Sequence, residues 1–276
     1  MGWQNGGQAQ NRGGGGKGPG QANHGGKVLQ GLLMAFSLYS RIPVPQAEWS
    51  KGGMRYAFCF FPLVGVVIGA AVAGFDCLAR VAHVGEVARS CVGAALPLLL
   101  TGGIHMDGFL DTVDARSSCQ PRERKLEILK DPHTGAFAII GGGVYLLMYL
   151  AVFSELGPAA FPAAGGVYVT SRALSGWAAV SFPKAKKDGM LTTVSAGTGY
   201  GAARIFLAAW WLSAAAFLVW FGGLVAGGAA LAAATAAFGF YYHMAMKEFG
   251  GVTGDLAGYF LQVCELGMLA ALAFFL

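Results

Sequence analysis

The sequence predicts an all-α fold, a polytopic membrane helical bundle, and two observations lead to that prediction. The chain of 276 residues is 55% hydrophobic and only 12% charged, about half the charged fraction of a soluble domain, so it lacks the ionic side chains that cover a water-facing surface. It also contains several apolar runs close to the roughly 20 residues that cross a bilayer as a helix. A transmembrane β-barrel would instead show alternation in segments of about ten residues, which the sequence does not contain.

Seven apolar runs are the predicted membrane spans. They lie at residues 56–79, 88–104, 134–153, 159–182, 205–221, 224–244 and 256–276. A further apolar stretch, residues 28–45, ends early at two prolines beside Arg41 and is too short to cross the bilayer straight. We therefore expect about seven spans, preceded by a short N-terminal element that is a re-entrant helix, an interfacial helix or a short eighth span.

The first 27 residues differ in kind from the rest of the chain. Gly, Gln and Asn dominate residues 1–27, and the absence of an apolar h-region excludes a signal peptide. This composition predicts a Gly-rich disordered tail. Residues 28–276 then form a single integral-membrane domain.

The basic residues of the connecting segments predict the orientation of the bundle. Lys and Arg are concentrated in residues 27–55, 105–133, 183–204 and 245–255, whereas the connections near 154–160 and 222–223 contain none. Since cytoplasmic loops carry an excess of Lys and Arg, we expect the loops with polar motifs to face the cytoplasm. The expected partner is the lipid bilayer, and no nucleic acid is expected.

The segment GGIHMDGFLDTVDARSS, residues 102–118, concentrates carboxylates at the end of an apolar run. On a helix, Asp107, Asp111 and Asp114 lie at about 0°, 40° and −20°, which is one narrow stripe. Three like charges this close repel each other, and desolvation adds to the cost. Mg²⁺ relieves the repulsion, because it binds carboxylate oxygens and completes its octahedron with substrate phosphates and water. The stripe therefore predicts a metal site rather than a solvated face.

Cations and further polar groups flank this stripe. Arg116 and Lys130 suit a metal-bridged diphosphate better than a bare cation pathway. Asp131, followed by Pro132, is typical of an N-cap that opens the next span, and it is also a candidate ligand of metal or phosphate. His105, where the apolar run ends, either contacts the substrate or marks the membrane interface.

Three polar residues lie in or beside later spans. Arg172 is in mid-span, where a charge is a functional-site hypothesis by default and helix packing is the alternative. Glu265 should face the bundle interior, with Arg172 as its candidate partner. Asp255 either caps the last span or belongs to the site.

Two segments of the sequence resemble a known family. The segments GGIHMDGFLDTVDA and LEILKDPHTGAFA are similar to the signature of cobalamin synthase, adenosylcobinamide-GDP ribazoletransferase. The matching positions are His105, Asp107, Gly108, Asp111, Asp114, Lys130, Asp131 and Gly135. Further matches at residues 40–45, 60–69, 171–174 and 251–265 extend the resemblance over almost the whole chain beyond the tail. Two departures are Ala115, where glycine is usual, and Pro132–His133, which replace Ser–Arg and remove a basic phosphate contact at position 133.

The resemblance implies the last assembly step of vitamin B12 at the bacterial inner membrane. Such an enzyme joins adenosylcobinamide-GDP to α-ribazole or its 5′-phosphate, releases GMP and requires Mg²⁺. The implied metal ligands are Asp107, Asp111, Asp114 and Asp131. The implied catalytic residues are His105, Asp111, Asp114 and Lys130, with an aspartate of the stripe or His105 as the general base. The substrate-binding candidates are Arg116, Arg172, Arg41, Arg55 and Asp255. A homo-oligomer and a complex with other cobalamin-assembly enzymes both stay open.

Two alternatives compete with this interpretation. The segment DTVDAR, residues 111–116, resembles part of the CDP-alcohol phosphatidyltransferase signature, but it lacks Gly after the second Asp and the later paired aspartates; an aspartate-rich prenyltransferase is a related option. A cation-coupled transporter would place its acidic residues near the bilayer midplane. Here they gather in one loop, which favours an enzyme.

Overall fold

The computed structural model describes residues 24–45, 51–186 and 189–276. Over those ranges the chain is helical, and its one β-type pairing is an isolated parallel bridge between Lys184 and Val252. The helices are α1 (His24–Tyr39), α2 (Lys51–Val81), α3 (Glu86–Thr101), α4 (Ile104–Ser117), α5 (Arg122–Ile128), α6 (Ala136–Glu155), α7 (Ala160–Ser181), α8 (Met190–Gly197), α9 (Tyr200–Met244), a π-helical turn (Ala245–Phe249) and α10 (Gly254–Phe275). The all-α prediction is confirmed.

Helix α1 enters the bundle and ends inside it. Gly31 packs against Tyr56, and the rings of Tyr39 and Phe61 lie 4.2 Å apart, so α1 and α2 begin at the same end and run in the same direction. With 16 residues, α1 is about 24 Å long, which is less than the roughly 30 Å of a hydrocarbon core. The helix is therefore too short to cross such a core straight, as the sequence predicts.

The predicted tail lies mostly outside the described residues. Residues 1–23 are not described, whereas His24 to Lys27 form the first turn of α1. The helix therefore begins before residue 28, where the apolar stretch was expected to begin.

Helix α7 is the centre of the bundle. It packs against α2, α9 and α10, and most of its side chains are buried. A methyl group on Gly65 of α2 would lie 2.3 Å from the carbonyl oxygen of Tyr168, and one on Gly69 would lie 2.6 Å from the Cα atom of Gly165. Small residues thus allow the backbones of α2 and α7 to approach closely, as is common between helices in lipid.

Helix α9 is interrupted near its middle. Gly223 has φ 69° and ψ 175°, a combination that only glycine adopts readily. Residues on either side of Gly223 are close in space: a methyl group on Gly227 would lie 2.6 Å from the carbonyl oxygen of Leu218. A continuous helix would hold these residues apart, so the chain reverses at Gly223.

Contacts with α7 confirm that the two arms of α9 lie side by side. Arg204 of the first arm donates a hydrogen bond to the carbonyl of Val180 at 3.2 Å. In the second arm, the ring of Tyr242 lies 4.8 Å from that of Phe182. Both arms therefore reach the end of α7, and they correspond to the predicted runs 205–221 and 224–244.

Two glycines separate α3 from α4. Gly102 and Gly103 both have positive φ, 65° and 77°, and they close the C-terminus of α3 with hydrogen bonds to Leu99 and Leu98. The axes of α3 and α4 differ by 93°. The predicted span 88–104 therefore ends at Thr101, and the acidic segment is a separate helix.

The predicted number of seven spans is not confirmed. By length and apolar composition, four stretches of the described chain can cross a membrane, and the bent pair α3–α4 would add a fifth. The four are 53–81, Ala136–Glu155, Tyr200–Phe249 and Gly254–Phe275. Helix α7 is less apolar than these four, since it contains Arg172 and several Ser, Thr and Gly residues, and most of its side chains are buried in the bundle. The stretch Tyr200–Phe249 contains both arms of the α9 hairpin.

Candidate active site

The acidic stripe lies on α4, as the helical spacing predicts. Phe109 points away from the stripe and stacks on the ring of Tyr259 of α10, with ring centroids 5.3 Å apart. Asp107 is exposed and Asp111 is half-buried. The opposite face of α4 thus packs into the bundle while these two carboxylates remain accessible.

Asp255, in the first turn of α10, joins the stripe. A methyl group on Gly108 of α4 would lie 2.9 Å from the Cα atom of Asp255, and one on Gly258 would lie 2.7 Å from the carbonyl oxygen of His105. Because glycine at both positions allows this approach, Asp255 lies within electrostatic range of Asp107 and Asp111.

Asp255 is not the cap of its helix. Thr253 is the N-cap, since its hydroxyl accepts a hydrogen bond from the backbone N–H of Leu256 at 3.2 Å. The carboxylate of Asp255 instead forms an ion pair with Lys186, whose Nζ lies 3.5 Å from Asp255 Oδ2. We name Asp107, Asp111 and Asp255 the acidic cluster, and Lys186 is the cation beside it.

Two loops fix the position of Lys186. The N–H of Val252 donates to the carbonyl of Pro183 at 2.8 Å, and the N–H of Ala185 donates to the carbonyl of Val252 at 3.1 Å. This short ladder joins the segment after α7 to the segment before α10. It therefore sets Lys186 opposite Asp255.

Asp114 has a different role from the rest of the stripe. Its Oδ2 accepts from the N–H of Gly135 at 2.7 Å, and its Oδ1 accepts from the N–H of Ala138 at 3.2 Å. Both oxygens thus satisfy backbone N–H groups at the N-terminus of α6, which would otherwise have no partner. The carboxylate also complements the positive end of that helix.

Asp131 lies in the segment between α5 and α6. Helix α6 begins at Ala136 with Gly135 as its N-cap, so the expectation that Asp131 caps it is wrong. Asp131 is exposed and accepts hydrogen bonds from the N–H and the ring Nδ1 of His133, at 3.0 and 2.7 Å. These hydrogen bonds lower the pKa of Asp131. Lys130 is exposed beside it.

Arg116 points away from the acidic cluster. Its guanidinium contacts Glu248 of the π-helical turn at 3.1 Å and the hydroxyl of Tyr259 at 3.2 Å. Lys125 of α5 also reaches Glu248, at 2.7 Å. Arg116 and Lys125 therefore connect α4 and α5 to the π-helical turn. In this conformation, Arg116 does not point toward a phosphate bound at the acidic cluster.

Arg172 is fully enclosed. Its Nη1 lies 2.7 Å from Glu265 Oε1 and donates to the carbonyl of Tyr168 at 3.0 Å. Ser171 donates a hydrogen bond to the same carboxylate at 2.8 Å. The predicted pairing of Arg172 with Glu265 is confirmed, and only 1% of the Arg172 side chain is exposed, so this conformation does not offer it to a substrate.

The other two arginine candidates lie at the surface. Arg41 is exposed, and its side chain covers Gly102, where a methyl group would lie 2.4 Å from Arg41 Cγ. Arg55 is also exposed, and a methyl group on Gly199 would lie 3.0 Å from its Nε. Both remain predictions as substrate-binding residues.

A cavity of about 300 Å³ opens beside the acidic cluster. Four rings line it, those of Tyr39, Phe58, Phe61 and His105, together with Asp107, Asp255 and Ser175. We name it the aromatic cavity. The ring of His105 is buried, and its Nε2 has no hydrogen-bond partner among the described residues.

A second, smaller cavity continues the same cleft. Its volume is about 180 Å³, and it shares Gly254, Asp255 and Leu191 with the aromatic cavity. Lys186 and Thr192 line it as well. The cleft therefore has an aromatic part and a cationic part, and Asp255 borders both.

The acidic cluster has the chemistry of a Mg²⁺ site completed by a substrate. In the part of the chain that the structure describes, no group of three His, Cys, Asp or Glu side chains is arranged to hold a metal ion. Mg²⁺ seldom needs such a cage, because it is usually held by one or two carboxylates plus substrate phosphates and water. One or two carboxylates of the acidic cluster would meet that requirement, whereas both oxygens of Asp114 accept backbone hydrogen bonds and Asp131 accepts hydrogen bonds from His133.

Sequence reasoning missed the contributions of distant segments. Lys186 lies in a loop that is rich in basic residues, which marks it as a candidate cation. No local pattern in the sequence relates it to Asp255. The helical repeat alone predicts where Arg116 points. It follows Asp107 by about nine residues, and this separation puts the two side chains about 180° apart around the helix. The ring of Phe61 in the cavity has no local signal, because it resembles any other residue of an apolar span.

Comparisons with known proteins agree on one family. The family model described as cobalamin-5-phosphate synthase matches residues 31–273. The adenosylcobinamide-GDP ribazoletransferase of Lachnoclostridium phytofermentans is 42% identical over 240 residues, covering 87% of this chain and 92% of the relative. Relatives with the same name in Clostridium botulinum and Treponema denticola are 29% and 30% identical, covering 90% and 88% of this chain and 98% and 96% of their own lengths. No solved structure matches the chain. The chain therefore belongs to the cobalamin-5-phosphate synthase family.

Proposed function

We propose that this protein is an adenosylcobinamide-GDP ribazoletransferase, a membrane enzyme of cobalamin biosynthesis. It joins adenosylcobinamide-GDP to α-ribazole or its 5′-phosphate and releases GMP. The observation that carries the proposal is the 42% identity to a relative of that name over 87% of this chain. The cleft supports it, because carboxylates, a cation and an aromatic cavity meet there.

The reaction is a displacement at phosphorus. A ribose hydroxyl that is free in both α-ribazole and its 5′-phosphate, and therefore not the 5′ hydroxyl, forms a bond to the phosphorus that carries cobinamide. The bond from that phosphorus to the GMP oxygen breaks, and GMP leaves with the electron pair. The proton of the attacking hydroxyl passes to a general base; an aspartate of the acidic cluster and His105 are the two candidates.

We propose that Asp107, Asp111 and Asp255 hold Mg²⁺ together with the diphosphate of the substrate. When bound, Mg²⁺ neutralises charge on the diphosphate and on the leaving phosphate. Without a cation, the carboxylates of the cluster would repel a diphosphate. Lys186, at 3.5 Å from Asp255, is the protein cation placed to contact a phosphate oxygen.

We propose that the cleft faces the cytoplasm at the bacterial inner membrane. Basic segments meet at this end, where the loop after α7 pairs with the segment before α10. At the opposite end, Arg80 and Arg89 are both held by the buried Asp76, at 2.7 and 2.6 Å. Most of the basic residues therefore lie on the side of the cleft, as expected for a cytoplasmic face.

One assay tests the proposed reaction. Purified protein in detergent is incubated with adenosylcobinamide-GDP, α-ribazole and Mg²⁺, and GMP and the joined corrinoid are quantified. We expect the two products in equal amounts. Absence of both, with transfer instead from a CDP-linked donor to a lipid alcohol, would assign the protein to another class of membrane transferase.

A further inference from the structure

We infer that the aromatic cavity receives the base of the ribazole and so selects the nucleoside acceptor. This inference rests on the proposed function and goes further, because it names which part of which substrate the cavity holds. The residues that carry it are Tyr39, Phe58, Phe61, His105 and Ser175, which come from α1, α2, α4 and α7.

The size of the cavity limits its occupant. At about 300 Å³ it lies at the lower end of small-molecule pockets, about 300–1,000 Å³. A corrinoid macrocycle with its side chains and axial ligands is far larger than one such cavity. The choice is therefore between the two nucleoside groups of the reaction, the ribazole and the guanosine.

The walls of the cavity favour the ribazole. Tyr39, Phe58 and Phe61 offer aromatic surface, on which a flat apolar base stacks favourably. Guanine carries several donors and acceptors around its edge, and each of them loses free energy when it is buried without a partner. Dimethylbenzimidazole, the base of α-ribazole, has two methyl groups and one free ring nitrogen. It therefore has far fewer polar groups that need a hydrogen-bond partner when the base is buried.

His105 supplies a polar group suited to that single nitrogen. Its ring is buried at 6% exposure, lines the cavity and has no hydrogen-bond partner on Nε2 among the described residues. Nε2 is fully buried in this conformation, so it gains a hydrogen bond if the imidazole ring turns and Nε2 meets a complementary donor or acceptor of a ligand in the cavity. The base of the ribazole offers one such acceptor.

The cavity also places the reacting oxygen correctly. The same walls include Asp107 and Asp255, two of the proposed Mg²⁺ ligands. A ribazole whose base is held against the rings therefore has its ribose directed toward the diphosphate. The acceptor and the donor then meet at the acidic cluster.

The first experiment fills the cavity and measures binding of α-ribazole to the full-length protein in detergent by equilibrium dialysis. Ser175→Leu adds bulk to the cavity wall. Its matched control is Ser213→Leu, which makes the same change in a separate apolar groove beside Trp210 and Phe217. We expect Ser175→Leu to weaken α-ribazole binding at least tenfold and Ser213→Leu to change it less than twofold. If Ser175→Leu does not purify as a folded protein, Phe61→Leu removes a ring without adding volume and should weaken binding at least fivefold.

The second experiment tests the contact with His105. An α-riboside of dimethylindole has a C–H group where the ribazole has its free ring nitrogen. We expect the wild-type protein to bind the ribazole at least tenfold more tightly than the indole riboside. We expect His105→Phe to bind the two within twofold of each other, because the group that distinguishes them is gone.

The outcomes separate this inference from the proposed function. Wild-type GMP release with α-ribazole, together with unchanged α-ribazole binding in Ser175→Leu, overturns the inference and leaves the function standing. Weakened binding of GMP alone in Ser175→Leu assigns the cavity to guanine and also overturns the inference. A wild-type protein that neither binds α-ribazole nor releases GMP with it overturns both.

Discussion

At the scale of single residues, the carboxylates of α4 differ in their contacts, and we propose that they differ in role. Asp107 and Asp111 are accessible beside Asp255, whereas Asp114 accepts two backbone hydrogen bonds from the start of α6. One sequence pattern therefore contains groups with different duties. Their partners, rather than their spacing, distinguish them.

Asp111→Asn and Asp114→Asn should fail in different ways. In Asp114→Asn, the amide NH₂ cannot accept the second N–H of α6, and one buried N–H without a partner costs about 1–3 kcal/mol of unfolding free energy. Asp111→Asn removes charge from a repulsive cluster and should unfold at or above the wild-type temperature, while its GMP release falls at least 100-fold. Thermal unfolding and turnover of both variants check this. Equal losses of stability would contradict the division of duties.

Arg172 and Glu265 form a buried pair whose partners depend on each other. Arg172→Met leaves the Glu265 carboxylate buried without its cation, and breaking such a pair costs about 3–5 kcal/mol. The double variant Arg172→Met/Glu265→Met removes both charges and should recover at least half of that loss. Unfolding free energies from denaturant titration in detergent measure the coupling. Strictly additive losses would show that the pair is not coupled.

The sequence predicts these residues to the extent that local geometry determines them. Periodicity places Asp107, Asp111 and Asp114 on one face of α4. The partner of Asp114 is 21 residues away at Gly135, and Lys186 is 69 residues from Asp255. Those pairs depend on how helices cross, which no local pattern encodes.

At the scale of the elements, glycines set the places where helices end, reverse or touch. Two glycines of α6 allow close packing on α4, because Gly141 faces Val113 and Gly142 faces Leu110. Gly223 serves instead to reverse the chain between the arms of α9. Hydropathy located both arms as apolar runs, but the conformation of the break between them depends on φ and ψ of one residue.

Gly223→Ala should destabilise the hairpin through its backbone alone. No atom lies within 4 Å of a Cβ added at Gly223, so the cost is that of a conformation nearly confined to glycine, about 1–3 kcal/mol. Gly228→Ala is the matched control, since a Cβ there also meets nothing but the backbone is helical, and alanine favours a helix by about 1 kcal/mol over glycine. Unfolding of the two variants in detergent should therefore shift in opposite directions. A neutral Gly223→Ala would mean that the arms are joined in another way.

At the scale of the whole molecule, the bundle collects its functional groups at one end. The short helix α1, the bent α4 and the start of α10 all reach the cleft, while the far end carries the Asp76 ion pairs. The class of the fold follows from composition. The meeting of six helices at one cleft follows from close backbone contacts that composition does not reveal.

The orientation of this end can be measured with a membrane-impermeant maleimide. Cys119, after α4, is exposed at the cleft end, and His83 lies in the turn at the far end. With the other exposed cysteines replaced by Ala, Cys119 should be labelled in inside-out vesicles and protected in right-side-out vesicles. His83→Cys in a Cys119→Ser background should show the reverse. Labelling of Cys119 from outside would refute the cytoplasmic orientation.

The central claim is that Asp107, Asp111 and Asp255 form one magnesium–diphosphate site for ribazole transfer. The most direct measurement is the Mg²⁺ dependence of GMP release by the wild type, Asp255→Asn and Glu127→Gln, the last an exposed acidic residue of α5 paired with Arg124. We predict that EDTA stops wild-type turnover, that Asp255→Asn needs at least tenfold more Mg²⁺ for half-maximal rate, and that Glu127→Gln titrates as the wild type does. A wild type indifferent to EDTA, or an Asp255→Asn variant with an unchanged Mg²⁺ titration, would contradict the account.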